Sequence, residues 1–285
     1  MPDLPTVTVV IPTRHRPAYL DITLSSVVPQ ARQAGAEVLV VSDGPDPTTA
    51  EVTARHEVRF FALPSADGAN AARNHAVARA KSELIVLIDD DVDAPAGWLS
   101  AILDGVSAAA DHDVFGGPIR ARLEGGGPRA CGREPAPVTT LERGDQDRDV
   151  DFVWSANMAI RKSALDRVGP FDESIFVRGD EEDWQRRYRA RGGRIRYLAR
   201  AGLVHRRAPE DSTLRALGRA AYRQGRAARR YDARKRTRPP ITAELRTLAG
   251  CAWHTVRRRC AIGIVMGAHT AGRLREAIAE RAHSS

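Results

Sequence analysis

The feature that most restricts the fold is a series of short apolar runs in the first ninety residues. These runs are rich in β-branched residues and lie at 7–11, 38–41, 58–63 and 84–88. Stretches with helical character separate them, at 17–34, 47–56 and 69–80. Buried parallel strands have this continuous apolar character, and consecutive parallel strands need helical crossovers. The alternation predicts an α/β domain with a mostly parallel central sheet.

Charge divides the chain into two regions. Residues 1–205 contain 25 Lys and Arg against 30 Asp and Glu, whereas residues 206–285 contain 19 against 6. We therefore predict an acidic domain over 1–205 and a basic tail over 206–285. The hydrophobic content of 42% is that of a globular protein, which excludes a disordered or fibrous chain.

Membrane spans and cysteine frameworks are not predicted. No apolar run reaches the ~20 residues of a spanning helix, and the first residues do not resemble a signal peptide, so we expect a cytoplasmic protein. Cys131, Cys251 and Cys260 form no CxxC pair and are odd in number. This argues against a zinc ribbon or a disulfide framework and predicts free thiols.

The second half of the first region is less regular. Residues 116–150 are rich in Gly, Pro and charge, which predicts a long loop. An apolar segment follows at 152–160, then predicted helices at 163–168 and 181–191 and predicted strands at 195–198 and 202–205.

Two acidic clusters are candidates for chemistry. Asp89, Asp90 and Asp91 follow directly on a buried strand, and alternation along an extended chain lets Asp89 and Asp91 share a divalent cation. A solvated acidic turn is the alternative. The second cluster, 180–183, begins a helix, where carboxylates can act simply as caps. Four acids exceed that need, so one of them is a candidate general base.

Six motifs in order over residues 6–205 resemble the inverting family 2 glycosyltransferases with the GT-A fold. They are VVIPT with Arg14 and Arg16, VVSDG, AARN, LIDDD, SANMAIR, and the second acidic cluster with Gly192 and His205 after it. The resemblance implies transfer of a sugar, with inversion, from a nucleotide-sugar to an acceptor hydroxyl. It also implies a GT-A-like catalytic domain over 1–205, acting on a glycan, a lipid-linked glycan of the cell envelope or a small molecule.

The resemblance also implies roles for single residues. Nucleotide binding falls on Thr13, Arg16, Asp43, Arg73 and Asp90. Metal binding falls on Asp89, Asp91 and His205, which would hold Mn²⁺ or Mg²⁺ against the diphosphate. From the residues alone, Asp43 also suits a turn, Arg73 an exposed helix, and His205 a structural position.

The base assignment stays open between neighbouring acids. Aligning Trp184, Arg187 and Gly192 with the family pattern places the base at Glu181 and a later acid at Asp183. Taking the family's Glu-Asp order literally instead selects Glu182 and Asp183 as that pair. We expect Trp154, Asn157 and Trp184 to contact the acceptor or the sugar. The alternative for each of them is a position in the core or in a cap.

Other functions remain open. A nucleotidyltransferase would use the same metal and diphosphate pocket, and a non-catalytic module would bind a nucleotide or polysaccharide without turnover. In the tail, arginines at 215, 219, 223, 226, 229 and 230 predict a basic amphipathic helix that ends before Pro239. Trp253 and the apolar run 261–266 favour contact with an anionic membrane over plain packing, and nucleic acid is the least favoured partner.

Overall fold

A computed structural model describes residues 5–134, 137–176 and 179–282. The start of the chain (1–4), two residues of the predicted loop (135 and 136) and the last three tail residues (283–285) lie outside the described residues. The described chain forms two compact units. The first contains residues 5–120, 139–176 and 180–206, and the second contains 121–134, 137–138, 179 and 207–282. The second unit therefore includes part of the predicted loop as well as the tail.

The strands are short, and we number them in chain order. They are β1 (Val7–Thr13), β2 (Glu37–Ser42), β3 (Arg59–Ala62), β4 (Leu84–Ile88), β5 (Val92–Asp93), β6 (Val114–Gly116), β7 (Ile119–Leu123), β8 (Arg148–Val150), β9 (Asn157–Arg161), β10 (Ile195–Tyr197) and β11 (Leu203–Arg207). The main sheet has the order β3-β2-β1-β4-β9-β6-β10-β8, and a small sheet has the order β5-β11-β7.

The predicted parallel sheet is confirmed around β1. This strand pairs in parallel with β2 and β4, and β2 pairs in parallel with β3. Val9 lies opposite Val38 on one side and opposite Val86 on the other, and its side chain is fully buried. Parallel neighbours end at the same edge of the sheet, so Thr13, Asp43 and Asp89 lie at or just beyond that carboxyl edge.

Helices connect the strands of the first unit. They are α1 (Pro17–Gln33), α2 (Pro47–Arg55), α3 (Ala69–Arg79), α4 (Trp98–Ala108), α5 (Lys162–Val168) and α6 (Asp180–Arg189). The sequence analysis did not predict α4. Its buried residues, Trp98, Leu99, Ile102, Leu103 and Val106, have the 3.6-residue spacing of an amphipathic helix, which was the available signal.

One prediction in the middle of the chain needs correction. The predicted loop 116–150 contains β7 and β8, whose three to five residues are too short to stand out among glycines and prolines. The apolar segment 152–160 contains the start of a strand, β9, which begins at Asn157. Just before it, the Gln185 side chain accepts from Val153 N (3.0 Å) and donates to Val153 O (2.8 Å). The side-chain amide of Gln185 thus forms the backbone hydrogen bonds with Val153 that a neighbouring strand would otherwise form.

The second unit is built on three helices, which confirms the predicted helical C-terminal region. They are α7 (Leu214–Lys235), α8 (Ile241–Arg258) and α9 (Ile262–Ala282). The left-handed Arg259 (φ 49°) separates α8 from α9. Helices α7 and α9 approach closely where both have glycine: a Cβ at Gly225 would lie 1.9 Å from His269 O, and one at Gly272 would lie 2.1 Å from Tyr222 O.

Much of the tail's charge is paired inside this unit. Arg226 and Arg230 of α7 bind Glu276, Arg229 binds Glu280, and Arg273 of α9 binds both Asp232 and Glu244. The apolar run 261–266 is also partly internal, because Ile262 and Val265 are buried. None of the described helices is both long enough and apolar enough to cross a membrane.

Candidate active site

The aspartate triplet lies at the carboxyl edge of the sheet and is held from the β1 side. Thr13 donates its hydroxyl to Asp90 Oδ2 at 2.6 Å. Arg16, three residues further on, pairs with Asp90 Oδ1 at 2.8 Å and also with Asp91. Asp90 and Asp91 are both buried, so the two strand ends bring one arginine onto two buried carboxylates.

A distant strand completes this cluster with His205. Strand β11 pairs antiparallel with β5, which places His205 opposite Val92, and Arg206 N donates to Asp91 O at 2.8 Å. The His205 Nε2 atom lies 2.8 Å from Asp91 Oδ1, while Nδ1 lies 3.2 Å from the carbonyl of Thr139. A carbonyl only accepts, so Nδ1 carries a proton, and Nε2 faces the carboxylates.

Asp89, Asp91 and His205 fit a divalent cation. One ligand atom from each lies within 4.8 Å of the other two. Burial and the neighbouring Asp91 raise the pKa of Asp89, and burial raises the pKa of Asp90 to about 7 despite Arg16. Buried carboxylates that repel one another gain most from a cation, and oxygen donors with one imidazole suit Mn²⁺ or Mg²⁺.

Asp43 does more than form a turn. Its Oδ1 atom accepts hydrogen bonds from the backbone N–H groups of Asp67 (2.7 Å) and Gly68 (2.8 Å). Arg14 lies 3.6 Å from the other oxygen. Gly68 has φ +97°, a conformation that favours glycine, and it immediately precedes α3. The carboxylate therefore fixes the loop that leads into the helix of Arg73.

Arg73 is a buried centre of hydrogen bonds and not an exposed helix charge. Its Nη1 donates to Asn70 Oδ1 (2.9 Å) and pairs with Asp180 (2.5 Å), and its Nη2 donates to Ser155 Oγ (2.8 Å). Within the part of the chain that the structure describes, Arg73 Nε is buried and has no acceptor. Arg73 thus joins α3, α6 and the segment before β9.

Helix α6 separates the acids of the second cluster onto different faces. Glu181 is buried, and Ser155 Oγ lies 3.5 Å from its Oε1. Asp183 instead accepts from Arg186 (2.8 Å) and Arg187 (2.9 Å) of its own helix. Glu182 is partly exposed. Glu181 and Asp180 therefore lie beside Arg73, whereas Asp183 forms ion pairs with two arginines of its own helix.

The pKa values of the two acids beside Arg73 are shifted in opposite directions. Burial and the neighbouring Asp180 raise the pKa of Glu181 well above its usual range. Burial also acts to raise the pKa of Asp180, but the ion pair with Arg73 outweighs it and the pKa falls. Asp180 is consequently the counter-ion of Arg73, and Glu181 is the acid that holds its proton more tightly than an ordinary glutamate.

Of the three residues expected to contact the acceptor or the sugar, one has a partly exposed side chain and two have buried side chains. Trp184 is fully buried, stacks on Tyr188 at 5.6 Å and donates to Gly169 O, so its ring has no surface for a sugar. Asn157 is buried and bonds Trp98 Nε1, Pro118 O and Ala201 O, which occupies its amide. These two expectations are corrected. Trp154 is partly exposed and packs edge-to-face on Phe152. A contact between Trp154 and the acceptor or sugar therefore stays a prediction.

Sequence reasoning missed Ser155 and Asn70, the two polar partners of Arg73. Ser155 begins the SANMAIR motif, and Asn70 lies one helical turn before Arg73, so both positions were visible. Neither has a side chain that signals catalysis by itself. Their role depends on the long-range contact between α3 and the segment before β9.

The family model described as Glycosyl transferase family 2 matches residues 8–169, more than half of the chain. Two curated relatives are the pre-mycofactocin glycosyltransferases of Mycobacterium tuberculosis strains CDC 1551 / Oshkosh and ATCC 25618 / H37Rv. Each is 30% identical over 208 residues, which cover 70% of this chain and 42% of the relative. The chain thus spans about two fifths of the length of these relatives.

Solved structures share the fold at low identity. The crystal structure of GalNAc-T7 with UDP, GalNAc and Mn²⁺ matches with a TM-score of 0.57 and 13% identity, over 78% of this chain and 48% of that one. The mannosyltransferase PcManGT from Pyrobaculum calidifontis, in complex with GDP-Man and Mn²⁺, matches with a TM-score of 0.58 and 16% identity, over 98% and 76%. The chain therefore belongs to glycosyl transferase family 2 and has the GT-A fold.

Proposed function

We propose that the chain transfers a sugar from a nucleotide-sugar to an acceptor hydroxyl, with inversion and with a divalent cation. The observation that carries this proposal is the buried group of Asp89, Asp91 and His205 at the carboxyl edge of the sheet. The general base, Glu181, is buried beside Arg73, whose charge also acts on Asp89. The metal ligands and the base thus belong to one electrostatic cluster.

Donor binding is assigned to the carboxyl edges of β1 and β2. Thr13, Arg16 and Asp43 lie there, and open α/β sheets bind ligands at this edge. UDP and GDP-Man with Mn²⁺ in the structural neighbours support a nucleoside diphosphate with a cation here. Arg16 and Arg73 supply positive charge to the diphosphate, and Arg73 Nε offers it a hydrogen-bond donor.

Asp89, Asp91 and His205 would hold the cation. When bound, Mn²⁺ or Mg²⁺ neutralises charge on the diphosphate and polarises it as a Lewis acid. Thr139 fixes the His205 ring through Nδ1, so that Nε2 keeps its lone pair toward the site. Arg16 pairs with Asp90 and Asp91 and so offsets part of the repulsion among the three neighbouring carboxylates.

Glu181 takes the proton from the attacking hydroxyl. Inversion needs one base on the face opposite the leaving group and no covalent intermediate. A raised pKa suits this task, because it makes the carboxylate a stronger base than an ordinary glutamate. Ser155 and the Asp180–Arg73 pair hold Glu181 in place.

The acceptor is proposed to contact Trp154, whose partly exposed ring offers a stacking surface for a sugar. A glycan or a lipid-linked glycan of the cell envelope fits that contact. A small acceptor related to pre-mycofactocin belongs in the same test, since the curated relatives carry that name.

Product analysis tests the reaction. The full chain is incubated with a panel of UDP- and GDP-sugars, with and without Mn²⁺, and with glycan, lipid-linked and pre-mycofactocin acceptors. We expect release of nucleoside diphosphate that requires both cation and acceptor, and a glycoside whose anomeric configuration, read by NMR, is opposite to that of the donor. Pyrophosphate release would indicate nucleotidyl transfer, retention would contradict the single-base mechanism, and tight binding without turnover would indicate a binding module.

We also propose that the second unit binds an anionic membrane through α8. Its outer face carries Leu245, Trp253 and Val256, which are 52%, 69% and 77% exposed. Their spacing forms one apolar stripe, and Arg246 and Arg257–Arg259 are exposed around it. An apolar stripe flanked by arginines matches the chemistry of a lipid surface with negative headgroups. Nucleic acid is less favoured, because the stripe is aliphatic apart from one aromatic ring.

Vesicle co-sedimentation tests the membrane proposal. Each arginine near an anionic leaflet contributes about 1 kcal/mol, and this attraction decays over about 8 Å at physiological salt. We expect the full chain to pellet with phosphatidylglycerol vesicles at low salt, and much less with phosphatidylcholine vesicles or at high salt. Trp253→Ser with Val256→Ser should abolish pelleting.

The matched control for that experiment is Ile278→Ser on α9, an apolar residue that is 58% exposed and lies outside the stripe. It should leave pelleting unchanged. Equal recovery of wild type and stripe variant in the supernatant would contradict the proposal. Pelleting without vesicles would assign the stripe to self-association.

A further inference from the structure

The second unit brings Cys131, His254 and Cys260 together. The Cys131 Sγ atom lies 3.4 Å from His254 Nε2, and the three ligand atoms all lie within 4.8 Å of one another. More than 120 residues separate Cys131 from His254, so no sequence spacing reveals the group. The cysteines are free thiols, as predicted, but two of the three share a site with a histidine.

The backbone around the site fixes all three segments. His254 lies on the last turns of α8, and Cys260 lies in the turn to α9, just after the left-handed Arg259. Cys260 N donates to Thr255 O at 3.2 Å, which closes that turn. Ala261 N donates to Arg129 O at 2.8 Å, and this bond holds the segment of Cys131 against the turn.

The donor set has the chemistry of zinc. Two thiolates with an imidazole are soft or borderline ligands, which select Zn²⁺ over Mg²⁺ or Ca²⁺. Sulfur and nitrogen ligands on one tetrahedral zinc lie ~3.5 Å apart, given Zn–S and Zn–N bonds of about 2.3 and 2.0–2.1 Å. The observed 3.4 Å agrees with that spacing. Cys260 is buried, whereas Cys131 and His254 are partly exposed, so solvent can supply a fourth ligand.

We propose that Cys131, His254 and Cys260 bind one zinc ion that fastens the segment of Cys131 to the α8–α9 turn. Binding displaces the two thiol protons to solvent and leaves the sulfurs as thiolates. The ion would join the segment of Cys131, helix α8 and the α8–α9 turn, in addition to the backbone hydrogen bonds between them. It therefore stabilises the folded second unit.

Cobalt substitution in the full chain tests this site specifically. The reduced protein is stripped with a chelator and reloaded with Co²⁺. We expect a thiolate-to-cobalt charge-transfer band in the near ultraviolet and intense tetrahedral bands in the visible. The carboxylate site of Asp89, Asp91 and His205 has no sulfur and cannot produce the charge-transfer band. Zinc should remove both sets of bands by displacement.

Variants then assign the ligands. Cys131→Ser and Cys260→Ser should each weaken the charge-transfer band, and His254→Asn should weaken the tetrahedral bands. Cys251→Ser is the matched control, because Cys251 is a buried cysteine on α8 outside the group. It should leave both spectra unchanged. Chelation should lower the melting temperature of the wild type and the control, but not of the ligand variants.

The unaltered protein also gives a decisive measurement if a variant fails to fold. X-ray absorption at the zinc edge of the purified full chain should show two sulfur neighbours at about 2.3 Å. Absence of sulfur neighbours and of any cobalt–thiolate band would overturn the proposal. A Cys131–Cys260 disulfide that persists in the reduced, purified chain would overturn it as well.

Discussion

Glu181→Gln is expected to lower the rate of sugar transfer by ~10²–10⁴, the contribution of a general base, while donor binding stays nearly intact. Glutamine keeps the shape of the side chain and is neutral, as the buried glutamate is while protonated, so the fold should tolerate it. Single-turnover transfer and calorimetric titration with the nucleoside diphosphate separate the two effects. An equal loss of nucleotide affinity would move Glu181 from catalysis to donor binding.

Asp183→Asn is the matched control on the same helix. Its carboxylate accepts from Arg186 and Arg187, and such helical pairs contribute only about 0.3–0.5 kcal/mol each. We expect transfer close to that of the wild type. If Asp183→Asn were inactive and Glu181→Gln active, the face of α6 that carries the base would be wrongly assigned.

The pH profile gives the Glu181 assignment an independent check. A base works only when ionised, so kcat/KM should rise with pH through the pKa of Glu181. Burial and Asp180 raise that pKa, which places the rising limb above the ~4.3 of an ordinary glutamate. The limb should vanish in Glu181→Gln. A limb that persists unchanged in this variant would belong to another group.

Asp91→Asn is expected to remove most of the metal-dependent part of nucleotide binding. The substitution replaces a charged oxygen beside His205 and Arg16 with a neutral amide. Loss of a group that only supports a ligand already costs ~10–100-fold in metal affinity, so loss of a ligand should cost at least as much. Calorimetric titration with a nucleoside diphosphate, with and without Mn²⁺, measures the difference.

Asp93→Asn is the control for that experiment, since Asp93 lies two residues further on and outside the group of Asp89, Asp91 and His205. It should retain the Mn²⁺ dependence. Unchanged nucleotide affinity and unchanged Mn²⁺ dependence in Asp91→Asn would show that the triplet does not hold the cation.

Local patterns in the sequence were enough to predict the sheet and its edge. Strands such as β1 and β4 are continuous runs of buried β-branched and aliphatic residues. Thr13 ends β1, Asp43 follows β2 and Asp89 follows β4. Parallel pairing then brings these residues to one edge whatever the details of packing. The apolar periodicity of helix α4 is likewise a property of its sequence.

Only the tertiary structure decided how distant residues combine. His205 reaches Asp91 because β11 pairs with β5, and Cys131 reaches His254 because its segment bonds to the α8–α9 turn. Nor did composition distinguish Glu181 from Asp183, since that choice depends on the direction in which each side chain leaves α6. Side-chain type and short-range periodicity are properties of the sequence, whereas ligand sets and the face of a helix that is buried arise from contacts over more than a hundred residues.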